Sequence, residues 1–236
     1  MNKRIIPDAI TCCNLICGSI AVFMATQGAF MWAFAFILAG AFFDFFDGLS
    51  ARLLKAPSPL GVQLDSLADD ITFGLAPAMM LTCYLRPVLG WWAMLALLMA
   101  AAAAMRLAKF NVDERQHSSF IGLATPANAI FWAPICCMPY AVLAHDWMAW
   151  VLLAFALFSS WLMNAEIPFF SFKEFKTRKT IIICFIIGCV ILTAFCVAKA
   201  IINQHIEFAL FSGTACILWY VALNLLLYLA EGRKDA

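Results

Sequence analysis

Long apolar runs broken by short polar patches set the architecture of this chain. A bilayer-spanning helix needs about 20 mostly apolar residues, and runs of that length predict about eight helices. They fall near residues 9–27, 30–55, 61–85, 90–111, 125–143, 146–166, 180–201 and 207–230. The third carries Gly74 and Pro77 and begins among acids, and the fifth carries Pro126, Pro134 and Pro139, so neither is a conventional span. The alanine run at 100–104 suits close helix packing. The expected fold is all-α and polytopic, with residues 1–236 forming one integral membrane domain.

Composition agrees with that pattern. Of 236 residues 65% are hydrophobic and 12% charged, with mean hydropathy +0.93, which excludes an ordinary soluble domain. A net charge of +1 without a long basic block gives no reason to expect a nucleic-acid partner. The ten cysteines include no Cys-x-x-Cys spacing, and the adjacent pairs Cys12-Cys13 and Cys136-Cys137 lie inside apolar runs, so they are expected to be small buried hydrophobes. Lys3 and Arg4 precede an apolar run, but Asp8, Thr11 and Asn14 interrupt it, which favours a retained first helix over a signal peptide. Of the 15 Lys and Arg, all except Arg86 and Lys199 fall on one side of the predicted layout. By the positive-inside rule that side, with both termini, faces the cytoplasm, as expected for the bacterial inner membrane.

Four aspartates stand out against this background: Asp44, Asp47, Asp65 and Asp69. Carboxylates near bilayer depth are costly unless a cation compensates them, so they mark a functional site. Asp44, Asp47 and Ala51 share one helix face, as do Gly61, Asp65 and Asp69. Gly48, Ala51 and Gly61 keep bulk away from those faces. Arg52 adds a fixed cation suited to a phosphate or to an ion pair. Carboxylates, small residues and an arginine suit two hard divalent cations holding a pyrophosphate. The plainer alternative has Arg52 and Lys55 neutralise the acids, but two cations cannot balance four anions. A cation transporter would need acids spread through the membrane depth, whereas these cluster at the predicted cytoplasmic face.

The stretch from Asp44 to Asp69 carries every fixed position of the pattern D-x2-D-G-x2-A-R-x8-G-x3-D-x3-D. In this it resembles the CDP-alcohol phosphotransferase family. The resemblance implies two Mg²⁺ or Mn²⁺ ions, a CDP-linked donor, and transfer onto an alcohol with release of CMP. It implies metal ligation by Asp44, Asp47 and Asp65, with Asp69 as the base that takes the alcohol proton and also near the second metal. Gly48, Ala51, Arg52 and Gly61 would line the nucleotide and diphosphate. Asp70 lies about 100° round the helix from Asp69, outside the pattern, and is expected to face a polar loop or partner. The catalytic core is expected over about 5–166, with additional helices over about 180–230.

Four further segments are similar to the membrane-bound phosphatidylserine synthases within that family. They are RLAKFN at 106–111, GLATPANA at 122–129, the opening at 7–18 and IPFFSFK at 167–173. Asp8 stands where asparagine is usual, and Ala124 where proline is usual. CDP-diacylglycerol would then be the donor and L-serine the acceptor, with Thr11 and Asn14 joining the nucleotide site. A serine pocket must satisfy an ammonium and a carboxylate; Arg106 suits the carboxylate, and Asn111 and Thr125 suit neutral hydrogen bonds. Arg106 and Lys109 equally fit snorkelling at a helix end, and Thr125-Pro126 a helix N-cap. Lys173, Lys176, Arg178 and Lys179 suit anionic headgroups or topology alone. Glycerol phosphate and inositol remain alternative acceptors, and His117, His145 and His205 form no motif. No His-x-Lys-x4-Asp sequence occurs, so a single displacement is expected. A homodimer follows from the resemblance only.

Overall fold

The computed structural model describes residues 5–54, 58–112, 120–140, 145–169, 179–205 and 207–232. Helices α1 (Ile5–Thr26) and α2 (Phe30–Leu53) pack together across a tight turn at Gly28, whose φ of +72° favours glycine. Helix α3 (Pro59–Asp69) begins at Ser58, whose Oγ accepts from the Gly61 amide at 2.9 Å, with Pro59 in the first turn. It runs through a π-helical turn (Asp70–Leu75) into α4 (Ala76–Leu89). Pro77 offers no N–H to the Phe73 carbonyl, and the wide turn falls where the α-helical ladder is broken in this way. At Gly90, with φ +55°, the chain folds back through a 3₁₀ segment (Gly90–Leu97) into α5 (Leu98–Val112).

The continuous helical stretch Pro59–Val112 is 54 residues long, well beyond one crossing. It is a hairpin, because α5 returns to pack against the π-turn and α3. Helices α6 (Thr125–Cys136), α7 (Asp146–Asn164), α8 (Lys179–Asn203) and α9 (Glu207–Gly232) follow. A short antiparallel pair, β1 (Phe120–Ile121) with β2 (Pro168–Phe169), ties the start of α6 to the end of α7. Among the described residues six helical stretches are long and apolar enough to cross a membrane. The number differs from about eight because two predicted spans share one hairpin and α6 is short. The predicted helix at 125–143 ends at Cys136: Pro139 disfavours helical geometry at the residue before it.

Alanines line many of the buried helix contacts beside a core of Phe73, Tyr84 and Trp132, while other large apolar side chains face outward, as expected where lipid surrounds the bundle. Ala21, Ala25, Ala33, Ala76, Ala78, Ala93 and Ala96 are fully buried, whereas Trp32, Phe42, Phe45, Ile187, Ile191 and Ile201 are exposed. Cys12, Cys13 and Cys184 also face outward rather than into a core as expected, and no disulfide joins any of the ten cysteines among the described residues. A tight junction joins α1, α2 and the π-turn. A Cβ on Gly18 would collide with Thr72, and one on Gly40 would lie 2.5 Å from Thr72 Cγ2 and 2.8 Å from Asn14 Oδ1. Thr72 Oγ1 donates to the Asn14 carbonyl at 3.1 Å across the same junction.

Gly40→Leu should therefore lower the apparent Tm of the purified protein by several degrees, since overpacking costs about 1–3 kcal/mol. Gly48→Ala, whose Cβ would meet only Arg52 Nη2 at 3.8 Å, should leave it unchanged. Equal melting of the two variants in a thermal-shift assay would contradict this packing.

Candidate active site

Asp44 and Asp47 end the inner face of α2, and Asp65 projects from α3. Their carboxylates each place an oxygen within 4.8 Å of the others. Two of these oxygens, Asp47 Oδ2 and Asp65 Oδ1, are buried without a hydrogen-bond partner. Unpaired anionic oxygens in an apolar bundle need a cation, and an all-carboxylate donor set suits a hard divalent ion. The residues therefore fit a metal site. Asp69 is one turn beyond Asp65 and within electrostatic range of Asp44, Asp65 and Asp47, although outside the three-residue ligand group. Its Oδ1 accepts from Asn14 Nδ2 at 3.1 Å, and Asn14 is fully buried on α1.

Next to the acids lies a cleft of about 150 Å³, walled by Pro7, Asp8 and Thr11 from α1, Asp47, Gly48 and Ala51 from α2, and Gly61 and Asp65 from α3. A Cβ on Gly61 would lie 3.0 Å from Ser58 Oγ and 3.2 Å from Asp8 Oδ1, so glycine keeps this wall open. Thr11 Oγ1 donates to the Pro7 carbonyl at 3.1 Å. Arg52 is exposed and donates from Nε to the Gly48 carbonyl at 2.9 Å, turning back along its own helix at the cleft edge. Asp8 and Ser58 belong to this wall although the sequence did not single them out as site residues. For Asp8 the signal was its departure from the usual asparagine.

A second polar centre lies where α5, α6 and α7 converge. Arg106 is only 8% exposed, so it does not snorkel; Lys109, one turn on, is exposed and is free to do so. Arg106 Nη1 donates to Thr125 Oγ1 at 3.1 Å, its Nε is buried without a partner, and Asp69 is within its electrostatic range. Thr125 is held in place by backbone bonds from Gly122 N to the Ile167 carbonyl (3.0 Å) and from Leu123 N to the Leu162 carbonyl (3.1 Å). Gly122 needs φ +75°, and a Cβ there would collide with the Met163 carbonyl. Two segments far apart in sequence, near 122–129 and 167, are thus joined.

Asn111 donates from Nδ2 to Ser66 Oγ at 2.9 Å. It lies roughly 140° round α5 from Arg106, so it meets α3 rather than the Arg106–Thr125 pair. Asp70 does not face a polar loop: its Oδ1 is buried without a partner beside the close approach of Gly74 to Ala103. The first turn of the π-segment carries it inward. Lys3, Arg4, Lys55, Arg115, His117, Lys173, Lys176, Arg178, Arg233 and Lys234 lie outside the described residues, as does the side chain of Lys179.

Comparison with known proteins supplies the family. The model of the CDP-alcohol phosphatidyltransferase family matches residues 4–169. The chain is similar to a CDP-diacylglycerol–serine O-phosphatidyltransferase of Bacillus subtilis, 36% identical over 172 residues, covering 72% of this chain and 92% of the relative. A protein of the same name from Mycobacterium tuberculosis is 36% identical over 140 residues, 55% of this chain and 48% of the relative. One from Helicobacter pylori is 34% identical over 127 residues, 52% and 54% of the two chains. The chain thus spans nearly all of the Bacillus relative and about half of the other two. With a match over residues 4–169 that contains the whole acid constellation, the chain belongs to the CDP-alcohol phosphatidyltransferase family.

Proposed function

We propose that this chain transfers the phosphatidyl group of CDP-diacylglycerol to the hydroxyl of L-serine and releases CMP, in a single displacement. The observation that carries the proposal is the carboxylate trio within 4.8 Å, with two buried unpartnered oxygens. Serine is supported by the name shared by the relatives from Bacillus, Mycobacterium and Helicobacter. The buried, incompletely paired Arg106 beside this acid site also supports it. Inositol carries no anionic group for that cation to receive.

Asp44, Asp47, Asp65 and Asp69 would hold Mg²⁺ or Mn²⁺, as two ions. When bound, the ions neutralise the diphosphate and the charge that develops in the transition state. The nucleotide and diphosphate lie along Gly48, Ala51, Arg52 and Gly61, with Thr11 on the α1 wall; Asn14, fully buried, serves Asp69 instead. Asn14 occupies Asp69 Oδ1 and fixes the carboxylate, so Oδ2 is the oxygen that takes the proton. The serine oxygen forms a bond to the phosphatidyl phosphorus as the bond from phosphorus to the CMP oxygen breaks. The hydroxyl proton passes to Asp69, and CMP leaves with the electron pair. Arg106 receives the serine carboxylate while Thr125 holds its Nη1; Asn111, turned toward Ser66 on α3, is left out of that pocket. The enzyme works as a homodimer in the inner membrane of a bacterium, with both termini and the acid site toward the cytoplasm.

Three outcomes follow. Purified protein given CDP-diacylglycerol and Mg²⁺ should label lipid from radioactive serine; labelling from inositol or glycerol phosphate instead would overturn the acceptor. Asp69→Asn should cut turnover by roughly 10²–10⁴ without lowering the apparent Tm, and full activity would remove Asp69 as base. EDTA should stop turnover and either Mg²⁺ or Mn²⁺ should restore it, whereas turnover unaffected by chelation would sink the metal role.

A further inference from the structure

Asp8 brings a carboxylate to the cleft beside the acids, from the wall that α1 forms. It is half-buried, and it faces the start of α3. Its Oδ1 would lie 3.2 Å from a Cβ on Gly61, and Ser58 Oγ would lie 3.0 Å from the same point. Because Gly61 has no side chain, the Asp8 oxygen keeps an open path into the cleft. Ser58 Oγ already accepts from the Gly61 amide at 2.9 Å, so the stronger acceptor that this corner offers is the Asp8 carboxylate. Asp47 and Asp65 line the same cleft, and Asp47 Oδ2 and Asp65 Oδ1 are buried without a partner.

An ionised carboxylate repels a diphosphate and only accepts hydrogen bonds, so Asp8 calls for neutral donors. Its position says which. Gly61, opposite Asp8, lies four residues before Asp65 on α3, a rise of about 6 Å. The order is the same on α1, where Asn14, bonded to Asp69, lies about 9 Å beyond Asp8. Asp8 therefore stands about one helical turn from the carboxylate trio, toward the start of both helices. In a nucleotide whose phosphates sit at the trio, the ribose diol follows at about that distance, and the amine of the base lies further out. Vicinal hydroxyls present two donors to one carboxylate. An acidic residue takes the ribose 2′ hydroxyl in this way in dinucleotide-binding folds.

We propose that Asp8 accepts hydrogen bonds from the ribose hydroxyls of the donor nucleotide, and so selects a ribonucleotide donor over its 2′-deoxy counterpart. The bare Gly61 wall is then what lets the sugar reach that carboxylate. The assignment rests on the reading of this cleft as the nucleotide site.

Equilibrium binding of CMP, dCMP and UMP to the purified full chain with Mg²⁺, followed by calorimetry, tests it. Wild type should bind CMP about tenfold more tightly than dCMP, the loss expected for one hydrogen bond to a charged group. Asp8→Ala should weaken CMP more than dCMP and bring the ratio close to one. Asp8→Asn should close the ratio in part without lowering the apparent Tm, which keeps the test open if Asp8→Ala fails to fold. CMP and dCMP bound alike by wild type would overturn the role of Asp8 and leave the cleft as a nucleotide site. So would a ratio that both variants preserve. A preference for CMP over UMP that is lost in the variants, while the ratio to dCMP persists, would move Asp8 to the base and overturn the assignment. Wild type that binds no CMP would instead remove the nucleotide reading of the cleft, and this proposal with it.

Discussion

Mutual repulsion among carboxylates in an apolar bundle is the constraint on which this structure turns. Asp44, Asp47 and Asp65 bring oxygens within 4.8 Å of each other, with Asp69 in electrostatic range. At that spacing two charges repel by about 3.5 kcal/mol at an effective dielectric of about 20. Among the described residues the relief is partial: Asn14 donates to Asp69, Arg52 bonds its own helix, and two of the acid oxygens have no partner. The helices hold the acids at a spacing that suits a bound cation.

The close packing follows from that need. Gly18 and Gly40 let α1 and α2 close on Thr72, which fixes Asn14 and through it the Asp69 carboxylate. Gly61 and the Ser58 cap hold the start of α3 against Asp8 and leave the cleft open. The π-turn after Asp69 serves the same end. It lets α3 present its acids before Pro77 redirects the hydrogen-bond ladder into α4. Stability and site geometry thus depend on the same small residues.

Much of this was legible in the chain. Period-3.6 spacing placed the acids on two helix faces, and hydropathy found the apolar helices. It could not find the end of α6, because Cys136-Cys137-Met138 is as apolar as the helix before it and only Pro139 marks the change. Asp70 was misplaced because a regular α-helix was assumed, whereas the π-turn changes the angular step at that position. The junction of 122–123 with 162–167 was invisible too, since backbone bonds between distant segments leave no periodic trace.

The two polar centres divide the work between them. The acids on α2 and α3 are the proposed place of phosphoryl chemistry, and the Arg106–Thr125 pair is contributed by α5 and α6. The central claim is that the acids form a two-ion centre, and Mn²⁺ binding followed by electron paramagnetic resonance on the purified protein tests it most directly. The account predicts two Mn²⁺ per chain with a spin-coupled spectrum, which collapses to one uncoupled ion or none in Asp65→Asn. Stoichiometric binding that survives Asp65→Asn unchanged, or no specific binding in the wild type, would contradict it.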